Sequence, residues 1–203
     1  MTTTAEKATS TVEEAQPAAL PSVYATANRG AAILAEIERH PQFERLRKAT
    51  LMYPDCWATF TGYPIIAEWD LDQDGPRLFL EALRAMSLQA AVYEMTRDER
   101  AAQLDVAAPV DEMIHAVIAQ HTLLRQIEDD TSIRFVHMTD RERFAYDLNG
   151  YTDAAYRHAW GEPPRRYWIG QKDAQERLKL LYELYESIGI HDGGRSHGIT
   201  FGH

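Results

Sequence analysis

Cysteine is nearly missing from this 203-residue chain: Cys56 stands alone, so no internal disulfide can form. Long apolar runs are missing as well. Nothing approaches the roughly 18 consecutive apolar residues of a membrane span, so no membrane partner is expected. Basic residues are outnumbered, with 21 Lys and Arg against 31 Asp and Glu, and the formal charge of −10 repels phosphate backbones. Nucleic acid is therefore not an expected partner. No phosphate-cradling glycine loop, no Gly-x-Ser-x-Gly elbow and no internal repeat occurs. Residues 1–16 lack the basic start and apolar middle of a secretory signal, which leads to the expectation of a cytoplasmic protein.

What is present is enough apolar material, 45% of residues, to fill the core of one domain. The pattern predicts an all-α fold: a single compact multi-helix domain over residues 23–188, a disordered leader over 1–22 and a flexible tail over 189–203. The leader is Thr, Ala, Glu, Ser and Pro, too poor in large apolar groups to offset the entropy of ordering. Ile33, Leu34 and Ile37 predict a helix over 27–40. Pro41 suits the first turn of a second helix through Phe43, Leu46 and Leu51. Between Tyr53 and Trp69, Pro54, Gly62 and Pro64 break up an aromatic-rich stretch into an irregular connection.

A long helix is expected after Pro76, since Leu78, Phe79, Leu83, Met86 and Val92 keep a 3.6-residue rhythm. Thr96 and Glu99 are spaced as a capping box for a short helix ending near Leu104. Pro109 opens a helix expected to run to about Glu128. Thr139 and Glu142 form a second capping box for a helix reaching Trp160, and Asp173 caps a last helix through Leu178, Leu181, Tyr182 and Tyr185.

The chemistry concentrates on the helix behind Pro109. At 100° per residue, Val110, Ile114, Val117, His121 and Leu124 make one apolar stripe. Asp111 and His115 stack one turn apart on its flank. A carboxylate and an imidazole so placed can both bind a metal, or the carboxylate can orient the imidazole. Asp111 alone is explained by the helix N-terminus, which a negative charge stabilises by roughly 0.3–1 kcal/mol. His115 is not. His137, in the connection after Phe135, supplies a further imidazole. Asp111, His115 and His137 are thus the candidate metal ligands, and Asp111 with His115 the candidate catalytic pair. His121 is a further ligand candidate, although a histidine on an apolar stripe is more often a hydrogen-bonded core residue. Two imidazoles and a carboxylate suit a divalent Fe, Cu or Zn ion equally.

These residues resemble the glycine-rich domain-containing protein-like family, known as short helical bacterial chains and as the N-terminal part of longer plant proteins. Its pattern is Pro-Ser-x-x-Val-Asp-x-x-Trp-His, a Gly-x-Phe-x-His segment, then Tyr-x-x-x-Phe-Gly-x-x-Pro and a Trp. Pro109, Val110, Asp111 and His115 match the first block and Phe135 and His137 the second. Tyr156, Trp160, Gly161, Pro163, Pro164 and Trp168 match the third, so the likeness spans roughly residues 76–169. Ile114 replaces the family's Trp, and Val117 stands where many members carry another histidine. The resemblance implies a helical fold and weight on Asp111, His115 and His137, without naming a reaction.

Other features carry less. Asp70, Asp72, Asp74, Gly75 and Glu81 spell an EF-hand calcium loop in letters, but Pro64 interrupts the helix before it and Pro76 and Arg77 hold poor positions for it. Helix capping is the plainer account. His191, His197 and His203 lie among glycines in the tail, where a solvated role is the ordinary one. Cys56 lies between Asp55 and Trp57, and an adjacent acid disfavours a thiolate. The expected function is a small metalloprotein, a metal-dependent tailoring enzyme acting on a small molecule in a biosynthetic pathway, with oxidoreductase and hydrolase chemistry both open and homo-oligomers allowed. The alternative is a noncatalytic interaction module with a structural Asp/His network. A third reading is metal-free acid–base catalysis by His115 and Asp111.

Overall fold

The computed structural model describes residues 17–53, 69–138, 145–187, 189–191 and 200–201. Eight helices run through them: α1 (Val23–Arg39), α2 (Phe43–Leu51), α3 (Leu71–Thr96), α4 (Glu99–Ala102), α5 (Ala108–Ile118), α6 (His121–Thr131), α7 (Tyr151–Trp160) and α8 (Gln171–Ser187). Two-residue strands β1 (Ile190–His191) and β2 (Thr200–Phe201) pair antiparallel, Ile190 opposite Phe201. The fold is all-α and forms one compact domain. No helix among the described residues is long and apolar enough to cross a membrane.

α3 is the axis, and α1, α2, α4, α5 and α7 all pack on it. Its sequence explains why. Leu78, Phe79, Leu83, Met86, Leu88 and Val92 are buried, and so are the small residues Ala82, Ala85, Ala90 and Ala91 between them. Neighbours therefore cover nearly its whole circumference. α1 comes close at Gly30, where a β-carbon would lie 2.9 Å from Leu88 Cδ2. α1 buries Ile33, Leu34 and Ile37 at the expected spacing and is capped by Ser22, whose hydroxyl accepts from the Ala25 amide. It ends at His40, whose extended backbone is what the following Pro41 favours.

Several expected boundaries move. α3 starts at Leu71, five residues before Pro76, because Asp70 accepts from the amides of Asp72 and Gln73 and secures the first turn. Pro76 is held inside the helix and forfeits one backbone hydrogen bond. The EF-hand letters therefore lie on a helix, not in a calcium loop. Asp98, not Thr96, caps α4 through the amides of Arg100 and Ala101. The helix expected from Pro109 to Glu128 is two helices, α5 and α6, broken at Ala119–Gln120.

α7 begins only after Gly150. The Thr139/Glu142 capping box, Cys56 and the aromatic connection after Pro54 lie outside the described residues, as do His197 and His203. Residues 17–22, assigned to the leader, lie along the body: the Ala18 amide donates to Asp98 at 2.6 Å and Tyr151 donates its hydroxyl to the Pro21 carbonyl at 3.0 Å.

Around α3 sit three buried carboxylates, Asp74, Glu81 and Asp153. Each accepts a tyrosine hydroxyl at 2.6 Å: from Tyr167, Tyr156 and Tyr146 respectively. Each also meets a guanidinium. Arg166 grips Asp74 with two bonds of 2.7 and 2.8 Å, Arg84 donates to Glu81 at 2.8 Å, and Arg157 donates to Asp153 at 2.6 Å. Trp168 adds its indole N–H to Glu81 at 2.8 Å.

Hydrogen bonds from Arg166, set against burial and joined by Tyr167, hold the Asp74 carboxyl below its ordinary range. Burial alone would raise Asp153, but Tyr146, Arg157 and Arg165 outweigh it and the net shift is downward. Burial, then the carboxylate partner, pushes Tyr167 up to about 12, and the same causes raise Tyr146 and Tyr156, so all three hydroxyls stay donors. These clasps tie α3 to α7 and to the 161–169 segment, with Tyr156 and Trp168 as structural donors.

Candidate metal centre

α5 is buried along almost its entire length, with His115 and Ile118 the only partly exposed residues. The Ala107 carbonyl accepts from the Asp111 amide in the first turn, and Pro109 stands where an amide N–H would have no helical partner. Asp111 and His115 thus project one turn apart from a rigid, enclosed helix, as their spacing predicts. Their carboxylate and Nε2 stand 3.8 Å apart.

His137 arrives from the irregular segment 132–138. That segment leaves α6 at Ser132, whose left-handed backbone, φ 61°, turns the chain back. Two side chains then pin it. Glu128 accepts from the Phe135 amide at 3.0 Å, and Gln103, at the end of α4, accepts from the Met138 amide at 2.8 Å. His137 lies between these anchors, its side chain only 2% exposed. Its Nε2 is 2.9 Å from that of His115 and 3.9 Å from the Asp111 carboxylate. The rings meet edge to face, with centroids 4.9 Å apart.

Asp111, His115 and His137 can therefore hold a metal ion: one ligand atom from each lies within 4.8 Å of the others. The two Nε2 atoms approach different oxygens of the Asp111 carboxylate, His115 toward Oδ2 at 3.8 Å and His137 toward Oδ1 at 3.9 Å. Without an ion, the 2.9 Å contact works as a hydrogen bond in which one Nε2–H faces the other ring's lone pair. The His115 side chain is 22% exposed, against 10% for Asp111, so the centre meets solvent along the His115 edge.

His121 is elsewhere. It is exposed at the start of α6, because the break at Ala119–Gln120 resets the helical phase that had placed it on the stripe. Val110, Ile114, Val117 and Leu124 are buried as expected. The residue not anticipated is Glu112. Its carboxylate, 3% exposed, stands 3.8 Å from Nδ1 of His115, on the opposite side of the ring from Nε2. Its signal was available in the three-residue spacing to His115. Gln103 and Glu128 gave no signal, since their role depends on where the chain returns.

Of the EF-hand carboxylates, Asp70 caps α3, Asp74 and Glu81 are clasped, and Asp72 is exposed in the first turn of α3. A cleft of about 210 Å³, lined by Pro17, Leu20, Arg100, Gln103, Asp147 and Tyr151 among others, contains none of the three candidate ligands. Gln103 is the link between the two places. Compared with known proteins, the chain matches no family model, no curated protein and no solved structure.

Proposed function

We propose that this protein is a metal-dependent enzyme in which Asp111, His115 and His137 bind one divalent ion and a small molecule reacts at its solvent edge. The carrying observation is the meeting of the α5 pair with an imidazole 22 residues further on, at 2.9 Å. Two imidazoles and one carboxylate leave coordination positions for a substrate or water, a set shared by iron(II), zinc and copper sites. A bound ion supplies Lewis-acid polarisation or, where redox-active, oxygen chemistry. The protein's part is to fix the ligands on a rigid helix, to bury His137, and to leave the His115 side open. The resemblance to the glycine-rich domain-containing protein-like family belongs to the same proposal, since its pattern falls on Asp111, His115 and His137.

Elemental analysis of protein purified without a histidine tag tests the reading. Near-stoichiometric metal, lost in His115→Ala and in His137→Ala, supports it. Metal-free wild type that also takes up none of Fe(II), Zn(II) or Cu(II) on dialysis rejects it. The 2.9 Å hydrogen bond between the two rings would then stand as part of a structural network in an interaction module.

A further inference from the structure

Resting on that reading, we propose that Glu112 is the positioning carboxylate of the centre: it accepts from Nδ1–H of His115 and so aims Nε2 at the ion.

The two imidazoles have different needs. His137 is 2% exposed and lies between two pinned amides, so packing and backbone already set its ring. His115, in the last turn of its helix, is 22% exposed, so packing encloses its ring less fully than that of His137. A half-open imidazole can rotate and can present either nitrogen to an ion. It is this ring that Glu112 faces.

The arrangement sorts the two nitrogens. Nε2 looks toward His137 and Asp111, at 2.9 and 3.8 Å, while Nδ1 looks toward Glu112, at 3.8 Å. The nitrogens are on different edges of the ring, so Glu112 is not a ligand of an ion bound by Nε2. A carboxylate on Nδ1 keeps the proton there and leaves the lone pair on Nε2, which is the tautomer a metal needs. At 3.8 Å the contact is longer than a hydrogen bond, and a small rotation of the ring as it takes up metal closes it. The charge also fits: Asp111 and Glu112 together balance a dication in a place where the Glu112 side chain is 3% exposed.

The test uses the full chain, with Zn(II) as the probe in competition with a chromophoric chelator and Co(II) absorption as the spectroscopic readout. Glu112→Gln keeps the size of the side chain but weakens the acceptor. It should bind Zn(II) about ten- to hundredfold more weakly and alter the Co(II) spectrum, while its metal-free melting temperature stays within a degree or two of wild type. Glu112→Asp should recover part of the affinity. Nitrogen NMR of the zinc-loaded wild type should show the His115 proton on Nδ1, a readout independent of any variant's folding. If wild type binds Zn(II) tightly and Glu112→Gln binds equally well with an unchanged spectrum, the role of Glu112 is overturned and the metal reading stands. If wild type binds none of the metals, both fall.

Discussion

Two buried polar regions of this molecule follow opposite rules. At Asp74, Glu81 and Asp153 each carboxylate meets a tyrosine hydroxyl at 2.6 Å and a guanidinium at 2.6 to 2.8 Å. At Asp111 the imidazole Nε2 atoms stand 3.8 and 3.9 Å from the carboxylate. The first spacing is that of direct hydrogen bonds and the second spans the width of an ion. Buried charge is costly unless matched, and the clasps match theirs through direct hydrogen bonds, whereas the α5 group has ligand atoms spaced so that they could hold a metal ion. Chemical inventory alone does not separate the two. Both are rich in acids, and the EF-hand letters lie in the region that turned out to be clasped.

The comparison breaks most visibly if Glu81 is dispensable. Glu81→Ala leaves the Tyr156 hydroxyl, the Trp168 N–H and Arg84 without their shared acceptor, and should destabilise the protein by about 3–5 kcal/mol in urea denaturation. A loss under about 1 kcal/mol would remove the clasp from the structural account. The metal centre should respond to ligand instead. Zn(II) at about a hundredfold over its dissociation constant should add about 2.7 kcal/mol to wild type and nothing to His137→Ala, read by denaturation with and without chelator. Stabilisation of both proteins alike would place the zinc elsewhere.

Acid sharpens the contrast. Because the Asp74 carboxyl is depressed in the folded protein, its stabilising contribution is fully present above the ordinary carboxylate value and is lost as pH falls through the lower folded value. Asp74→Asn should therefore cost about 1.5–3 kcal/mol at neutral pH and progressively less in acid, as wild type loses the same charge. A gap that stays constant with pH would contradict the assignment. The smallest effect is expected at His121, where His121→Ala should change stability by no more than about 0.5 kcal/mol and leave zinc affinity unmoved.

Where local rules met only local competition, the sequence was readable. Ile33, Leu34 and Ile37 place α1, and the α3 rhythm from Leu78 to Val92 identifies the axis of the fold. The start of α3 was misplaced because Pro76 looked like a first-turn proline, while the Asp70 side chain, satisfying two amides, begins the helix earlier. His121 was misplaced for a related reason. A helical wheel carries phase only while the helix continues, and a break of two residues at Ala119–Gln120 turns the next helix to a new face. Asp111 and His115 were legible because they share one helix; Glu112 was missed, although its three-residue spacing to His115 offered the same kind of signal.

Sequence alone determined that the chain is helical, that one stripe of α5 faces the core, and that Asp111 and His115 are neighbours, because each depends on periodicity within a single element. Tertiary structure decided that His137 joins them and His121 does not, and that Asp74 and Glu81 serve Tyr, Trp and Arg. Those outcomes depend on where the chain turns back, at Ser132 and through the anchors Glu128 and Gln103. Contacts between distant segments are set by how whole elements pack, and no local spacing encodes them.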